Sequence, residues 1–285
     1  MDILKVVTKR GLELKGAIFD AENSDTVVVL LTGICSNLFQ NELLYTTGKV
    51  LSENGITCII GHAHDSFSCF AYTDFSIGKQ SHKGVFNDDF DMVYEDVESY
   101  VKHAKQMGFK KIILAGHSLG SNKIINYLGN TPDDYVDYFI VSSPVDIMHW
   151  WKVMPNIDEC FNLAKQWVKD GRGDNILPFL FGGFSPMTAK TVLGFYNAEN
   201  LKNCPVLSKQ GETDSLYNIK PNGTFIIGSK DSVTGESPKG FMEQLNKWTR
   251  DPEHNEVIEV EGGSHIFFNM HNEYAQLILN IIKTL

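Results

Sequence analysis

Apolar positions along the chain fall into short continuous runs separated by amphipathic stretches. Residues 26–32 (TVVVLLT) form an unbroken β-branched run, the mark of a strand buried on both faces of a parallel sheet. Residues 56–60, 111–115, 138–142, 224–228 and 257–260 predict five further strands. Between them lie helical stretches. One is expected over 38–53. After Phe86, the apolar residues Phe90, Val93, Val97, Val101 and Ala104 recur at helical spacing until Gly108. Further helices are expected over 118–128, 239–249 and 273–282, and residues 4–20 read as two strands around Lys9-Arg10-Gly11. Strand and helix alternating in this way predict an α/β fold with a doubly wound, mostly parallel sheet and helices on both faces.

One interval breaks the rhythm. Residues 144–221 carry helical pieces but no convincing central strand, and they are far too many for an ordinary connection. They are read as a helical cap insertion over the active-site end, leaving 1–143 and 222–285 as the core. The insertion is rich in large apolar groups, among them His149, Trp150, Trp151, Met154, Phe161, Trp167, Phe179, Phe181, Phe184 and Met187. Most are expected to fix the cap to the sheet, and Trp150 and Trp151 to line a substrate pocket.

Composition narrows the function classes. With 285 residues, 42% hydrophobic and 21% charged, the chain falls within the range of soluble globular proteins. A formal net charge of −10 repels phosphate backbones and anionic headgroups, which argues against nucleic acid and membrane surfaces as partners. The acidic cluster Asp88, Asp89 and Asp91 reads as a solvated helix face. Five cysteines, widely spaced and without a C-x-x-C pair, point to reduced thiols and a cytoplasmic setting, and against a zinc module. The first residues lack a leader's apolar run, which supports the same location.

The chemistry concentrates at Gly116-His117-Ser118-Leu119-Gly120, a G-x-S-x-G motif between a buried strand and a helix. A serine hydroxyl must stand clear of the sheet on a tight, strained turn, and a side chain at either glycine would meet backbone. Serine is a weak nucleophile and needs a base oriented by a third group. The order expected for this motif is serine, acid, histidine, the last two each just past a later strand. Asp231 follows the strand 224–228, and His265 follows the strand 257–260 through a small-residue loop, Gly262-Gly263-Ser264. Asp146 also follows a sheet strand and is a rival acid, with Glu236 behind it. The two oxyanion donors expected are the backbone N–H groups of Leu119 and of Ile34, in the loop after the first buried strand. His117 is expected to support packing, with contact to substrate as its other use. Cys35 lies near the site without a nameable base, so its expected part is substrate contact rather than nucleophilic attack. His62-Ala63-His64-Asp65 is expected at the pocket rim, because i and i+2 side chains of an extended segment point apart and make a poor metal pair. No metal cluster, Walker loop or dinucleotide fingerprint is present in the sequence, so no cofactor is expected.

Gly116-His117-Ser118-Leu119-Gly120, Ser229-Lys230-Asp231 and Gly263-Ser264-His265 together resemble the α/β-hydrolase superfamily over almost the whole chain. Thr32 stands where many relatives carry a histidine before the glycine of the oxyanion loop. More narrowly, Ser143-Pro144-Val145-Asp146, the stretch 164–173, Leu177-Pro178 and Thr188-Ala189 resemble the family of fungal fusarinine C (siderophore) esterases. The resemblance implies hydrolysis of an ester. The leading expectation is therefore a serine esterase acting through an acyl-enzyme on a small-molecule ester, as a monomer or a homodimer. The same machinery could serve an amidase, peptidase or acyltransferase, and a binding protein that kept the fold is the alternative from another class.

Overall fold

A computed structural model describes residues 1–183, 185–211 and 213–285. The chain opens with an antiparallel hairpin, β1 (Asp2–Val7) and β2 (Glu13–Phe19), followed by β3 (Thr26–Leu31), α1 (Glu42–Glu53) and β4 (Thr57–Gly61). A second hairpin, β5 (Phe70–Asp74) and β6 (Lys79–Lys83), precedes α2 (Val93–Gln106), β7 (Lys111–His117), α3 (Leu119–Asn130) and β8 (Tyr138–Ser142). Then come α4 (Ile147–Lys152), α5 (Ile157–Lys169), the hairpin β9 (Ile176–Phe181) and β10 (Ser185–Thr188), α6 (Ala189–Asn197) and α7 (Asp214–Tyr217). The chain finishes with β11 (Gly223–Gly228), α8 (Pro238–Lys247), β12 (Glu256–Val260) and α9 (His271–Thr284).

Eight strands form one sheet in the order β1-β2-β4-β3-β7-β8-β11-β12. The pairs β1–β2 and β2–β4 are antiparallel, and every pair from β4 to β12 is parallel. Side chains alternate across β3 as the pleat requires. Val27, Val29 and Leu31 join one core with α2, α3 and α8, while Val28 and Leu30 join the other with α1 and α9. Both faces are covered, which is why the run 26–32 carries no polar alternation.

Helix starts differ from the apolar pattern where local hydrogen bonds compete. The helix expected from residue 38 begins at Glu42, because the Asn41 side chain accepts from the Leu43 N–H and caps it. The stretch after Phe86 is broken into two single turns, Val85–Asn87 and Phe90–Met92, before α2 starts at Val93.

Among the described residues between β8 and β11, none adds a strand to the sheet, and the hairpin β9–β10 stands apart from it. They bury a third apolar cluster, in which Trp151, Phe161, Phe181 and Phe195 pack together with Val85, Phe90, Val93 and Leu119 of the remaining chain. Phe184 lies outside the described residues. Among the described residues, no helix is long and apolar enough to cross a membrane.

Candidate active site

The turn from β7 into α3 carries Ser118 at φ +56° and ψ −130°, a region that residues with a Cβ seldom occupy. Its neighbours explain how the turn persists. The Ser118 N–H donates to the Ser142 carbonyl at 3.0 Å, and the Ser121 hydroxyl lies 2.8 Å from the carbonyls of both Gly116 and Ser142. The two glycines are a packing requirement. A Cβ on Gly116 would sit 2.5 Å from the Gly120 carbonyl, and one on Gly120 would sit 2.2 Å from the Leu31 oxygen.

Three distant side chains meet at the carboxyl edge of the sheet. His265 Nε2 is 2.9 Å from Ser118 Oγ, and His265 Nδ1 is 3.0 Å and 3.1 Å from the two carboxylate oxygens of Asp231. Asp231 is buried just past β11, and its Oδ1 also accepts from the Val233 N–H at 3.0 Å. Burial would raise its pKa, yet the hydrogen bond and charge of His265 outweigh this and hold the carboxyl below its ordinary value. The ring is thus oriented with Nδ1–H towards an anion and Nε2 towards the serine hydroxyl.

His117 supports that ring from behind. It is buried, and its Nε2–H donates to the His265 carbonyl at 2.7 Å. Burial, aided by the nearby His265, pushes its pKa down to about 4, so at neutral pH it is an uncharged donor.

Ile34 and Leu119, whose N–H groups are the expected oxyanion donors, both line the cavity that Ser118 faces. Leu119 opens α3, where a first-turn N–H has no intrahelical acceptor. Among the described residues, neither this group nor the Ile34 N–H donates to another backbone carbonyl. Gly33 packs against the serine so closely that a Cβ there would lie 3.1 Å from Ser118 Cβ.

A cavity of about 280 Å³ opens onto Ser118 and His265. Trp150, Trp151, Ile34, Leu119 and His117 line it, and the rest of its wall is mostly apolar. Val145, Ile147, Phe195 and Val233 were not foreseen there. The first two directly follow β8, a strand-end position that could have flagged them; Phe195 arrives on α6, which no local signal ties to Ser118. A larger cavity, about 600 Å³, lies elsewhere among Arg10, Asp74, Asp88 and α6 and contains none of the three site residues.

Several expectations need correction. Cys35 does not line the serine cavity: its N–H donates to the Asp65 carbonyl, its sulfur faces Ser68, and burial raises its thiol pKa. Asp88 is not on a solvated face. It is buried against His64 Nε2 at 2.5 Å, while Asp89 caps a single turn and Asp91 is exposed. His62, His64 and Asp65 are buried and do not form the rim of the serine cavity. The rival acid Asp146 caps α4, accepting from the His149 N–H at 3.0 Å and from the Ser208 N–H at 2.7 Å, and Glu236 is exposed.

Residues 70–199 match the model of a family described as "Protein of unknown function (DUF1749)". No curated protein matches the chain. Among solved structures, Est1E from Butyrivibrio proteoclasticus is similar at 11% identity and a TM-score of 0.65, over 100% of this chain and 98% of that one. Est1E has also been solved with ferulic acid bound. The complex of DcsB with its substrate analogue is similar at 13% identity and a TM-score of 0.72, over 99% and 98% of the two chains. An esterase from Pyrococcus furiosus is similar at 18% identity and a TM-score of 0.61, over 99% of this chain and 90% of that one. What identities this low carry is architecture: the chain has the α/β-hydrolase fold, a mostly parallel eight-stranded sheet flanked by helices.

Proposed function

We propose that the protein is a serine esterase that cleaves a carboxylic ester of a small molecule through an acyl-enzyme. The observation that carries this reading is the unbroken chain of hydrogen bonds from Asp231 through His265 to Ser118 Oγ. In the proposed reaction, Ser118 attacks the ester carbonyl while His265 Nε2 takes its proton. Asp231 holds the tautomer and stabilises the imidazolium that forms. The N–H groups of Ile34 and Leu119 receive the developing oxyanion. His265 then returns the proton to the departing alcohol, and water releases the acid by the same steps in reverse.

Residues 144–221 act in this reading as a cap, with Trp150 and Trp151 forming the roof of the acyl pocket. A volume of about 280 Å³ stands at the low end for small-molecule sites, so a compact acyl group is favoured. Ferulic acid bound to Est1E makes aromatic acids reasonable test groups, and the resemblance to siderophore esterases adds hydroxamate esters.

The decisive experiment is labelling with a fluorophosphonate. Wild-type protein is expected to be modified at Ser118, and Ser118→Ala not at all; a folded wild type that resists the probe overturns the reading. A panel of p-nitrophenyl esters of graded length, beside aromatic and hydroxamate esters and matched amides, then identifies the acyl group and the bond cleaved.

A further inference from the structure

The loop after β4, His62-Ala63-His64-Asp65-Ser66, has no task in the esterase reading, yet all five residues are buried. On one side it grips the loop after β3. His62 Nε2 accepts from the Leu38 N–H at 3.0 Å, and the Asp65 carbonyl accepts from the Cys35 N–H at 3.1 Å. Ser66 Oγ lies 2.7 Å from Thr32 Oγ, and the Ser66 carbonyl accepts from the Asn37 amide at 3.2 Å. On its other side, His64 is clasped by Asp88 and Asp96, and Arg10 reaches the same Asp96.

Lys123 completes the arrangement. It stands on α3, five residues after Ser118, and its side chain has no exposure to solvent. Its Nζ donates to the Thr32 carbonyl at 3.1 Å and to Asp65 Oδ1 at 2.5 Å. A buried ion pair is often no more stabilising than apolar side chains of similar size, so stability alone is a weak reason for one here. Its location supplies a better reason. The chain between Thr32 and Cys35 contains Gly33, whose backbone is intrinsically loose. That segment is pinned on both sides of Ile34, at the Thr32 carbonyl and at the Cys35 N–H.

Building on the serine-esterase reading, we propose that Lys123 and Asp65 are positioning residues that fix the Thr32 carbonyl and thereby hold the Ile34 N–H in place against the Ser118 hydroxyl. The pair ties the oxyanion loop to the helix that carries the nucleophile, so the two parts of the site move as one body.

Phosphonylation measures donor placement without knowledge of the natural substrate. Ser118 Oγ forms a bond to phosphorus, the P–F bond breaks, fluoride leaves, and His265 takes the hydroxyl proton while the phosphoryl oxygen occupies the oxyanion site. Three proteins are compared: wild type, the apolar pair Lys123→Met/Asp65→Leu, and the neutral pair Lys123→Gln/Asp65→Asn, which keeps a donor facing Thr32. Misplacing the loop by a fraction of an ångström is expected to slow labelling, and kcat on p-nitrophenyl acetate, by about 10- to 100-fold in the apolar pair. KM stays unchanged, and the neutral pair recovers most of the loss. A role in stability alone would lower the melting temperature while leaving kcat intact, so equal rates in all three proteins overturn the proposal. Should the apolar pair fail to fold by circular dichroism, Asp65→Asn alone decides, since it removes the carboxylate that holds the Lys123 ammonium on the Thr32 carbonyl. Labelling slowed severalfold supports the proposal, and a wild-type rate overturns it. A folded wild type that never labels removes the esterase reading and this proposal together. Labelling of wild type at Ser118, with variants just as fast, removes the positioning claim alone.

Discussion

Asp231 and Asp146 are both buried aspartates just past the ends of sheet strands, and their hydrogen-bond partners separate them. Asp231 turns its carboxylate to an imidazole; both carboxylate oxygens of Asp146 are taken by backbone N–H groups. Replacing Asp231 with asparagine keeps the volume but offers His265 an amide in place of an anion, which favours the wrong ring tautomer. Asp231→Asn is expected to lower kcat by about 10⁴-fold with the fold intact by circular dichroism. Asp146→Ala should behave in the opposite way. Losing the α4 cap costs about 1 kcal/mol, measured by chemical denaturation, while Ser118 still labels with a fluorophosphonate. If Asp231→Asn turns over normally and Asp146→Ala does not, the orienting acid has been misassigned.

At the scale of elements, the turn that carries Ser118 depends on how closely α3 approaches β7 and β3. Gly120→Ala places a methyl group 2.2 Å from the Leu31 oxygen, and backbone cannot move aside as a flexible side chain can. The helix must shift outwards, carrying Ser118 away from His265. We expect a loss of about 1–3 kcal/mol in the denaturation free energy, the usual cost of overpacking, together with a fall in labelling rate larger than the unfolded fraction explains. This element was readable in the sequence because the motif is local: strand, turn and helix occupy one continuous stretch. The parallel strands were readable for a similar reason: five are short apolar runs buried on both faces, and the edge strand β12 alternates glutamate with valine and isoleucine. The hairpins β5–β6 and β9–β10 were not. Phe70–Asp74 mixes aromatic and polar residues without clean alternation, and Ile176–Phe181 is interrupted by Pro178. The charged groups were misread for a different reason. Asp88 is 24 residues from His64 in sequence, and Asp96 is 32, so only the folded chain reveals that they share a buried site. Likewise, Lys123 reads as an ordinary helix lysine until α3 is laid against Asp65.

Across the whole molecule, buried histidines give stability a pH dependence on two sides, with opposite signs. His117 and His62 are both held to about 4, chiefly because burial penalises their charged forms. With an ordinary value of 6.5, each binds a proton more readily in the unfolded chain. The stability they add is complete above pH 6.5 and is lost as pH falls towards 4. His64 runs the other way. Burial alone would lower its pKa, but Asp96 and Asp88 together push it up to about 10. Its contribution is therefore complete below pH 6.5 and declines as pH rises from there through 10. Each group can change the slope of unfolding free energy by at most about 1.4 kcal/mol per pH unit. Urea unfolding measured from pH 4 to pH 10 should accordingly show a maximum near neutrality. His117→Asn keeps a neutral donor for the His265 carbonyl but cannot take up a proton, so its acid limb should be shallower than that of the wild type while the alkaline limb is unchanged. An acid limb that keeps its full slope in this variant would show that His117 is already protonated in the folded protein. The ring behind His265 would then carry a charge, at odds with its burial, and the assignment of His117 as an uncharged support for the site would fail.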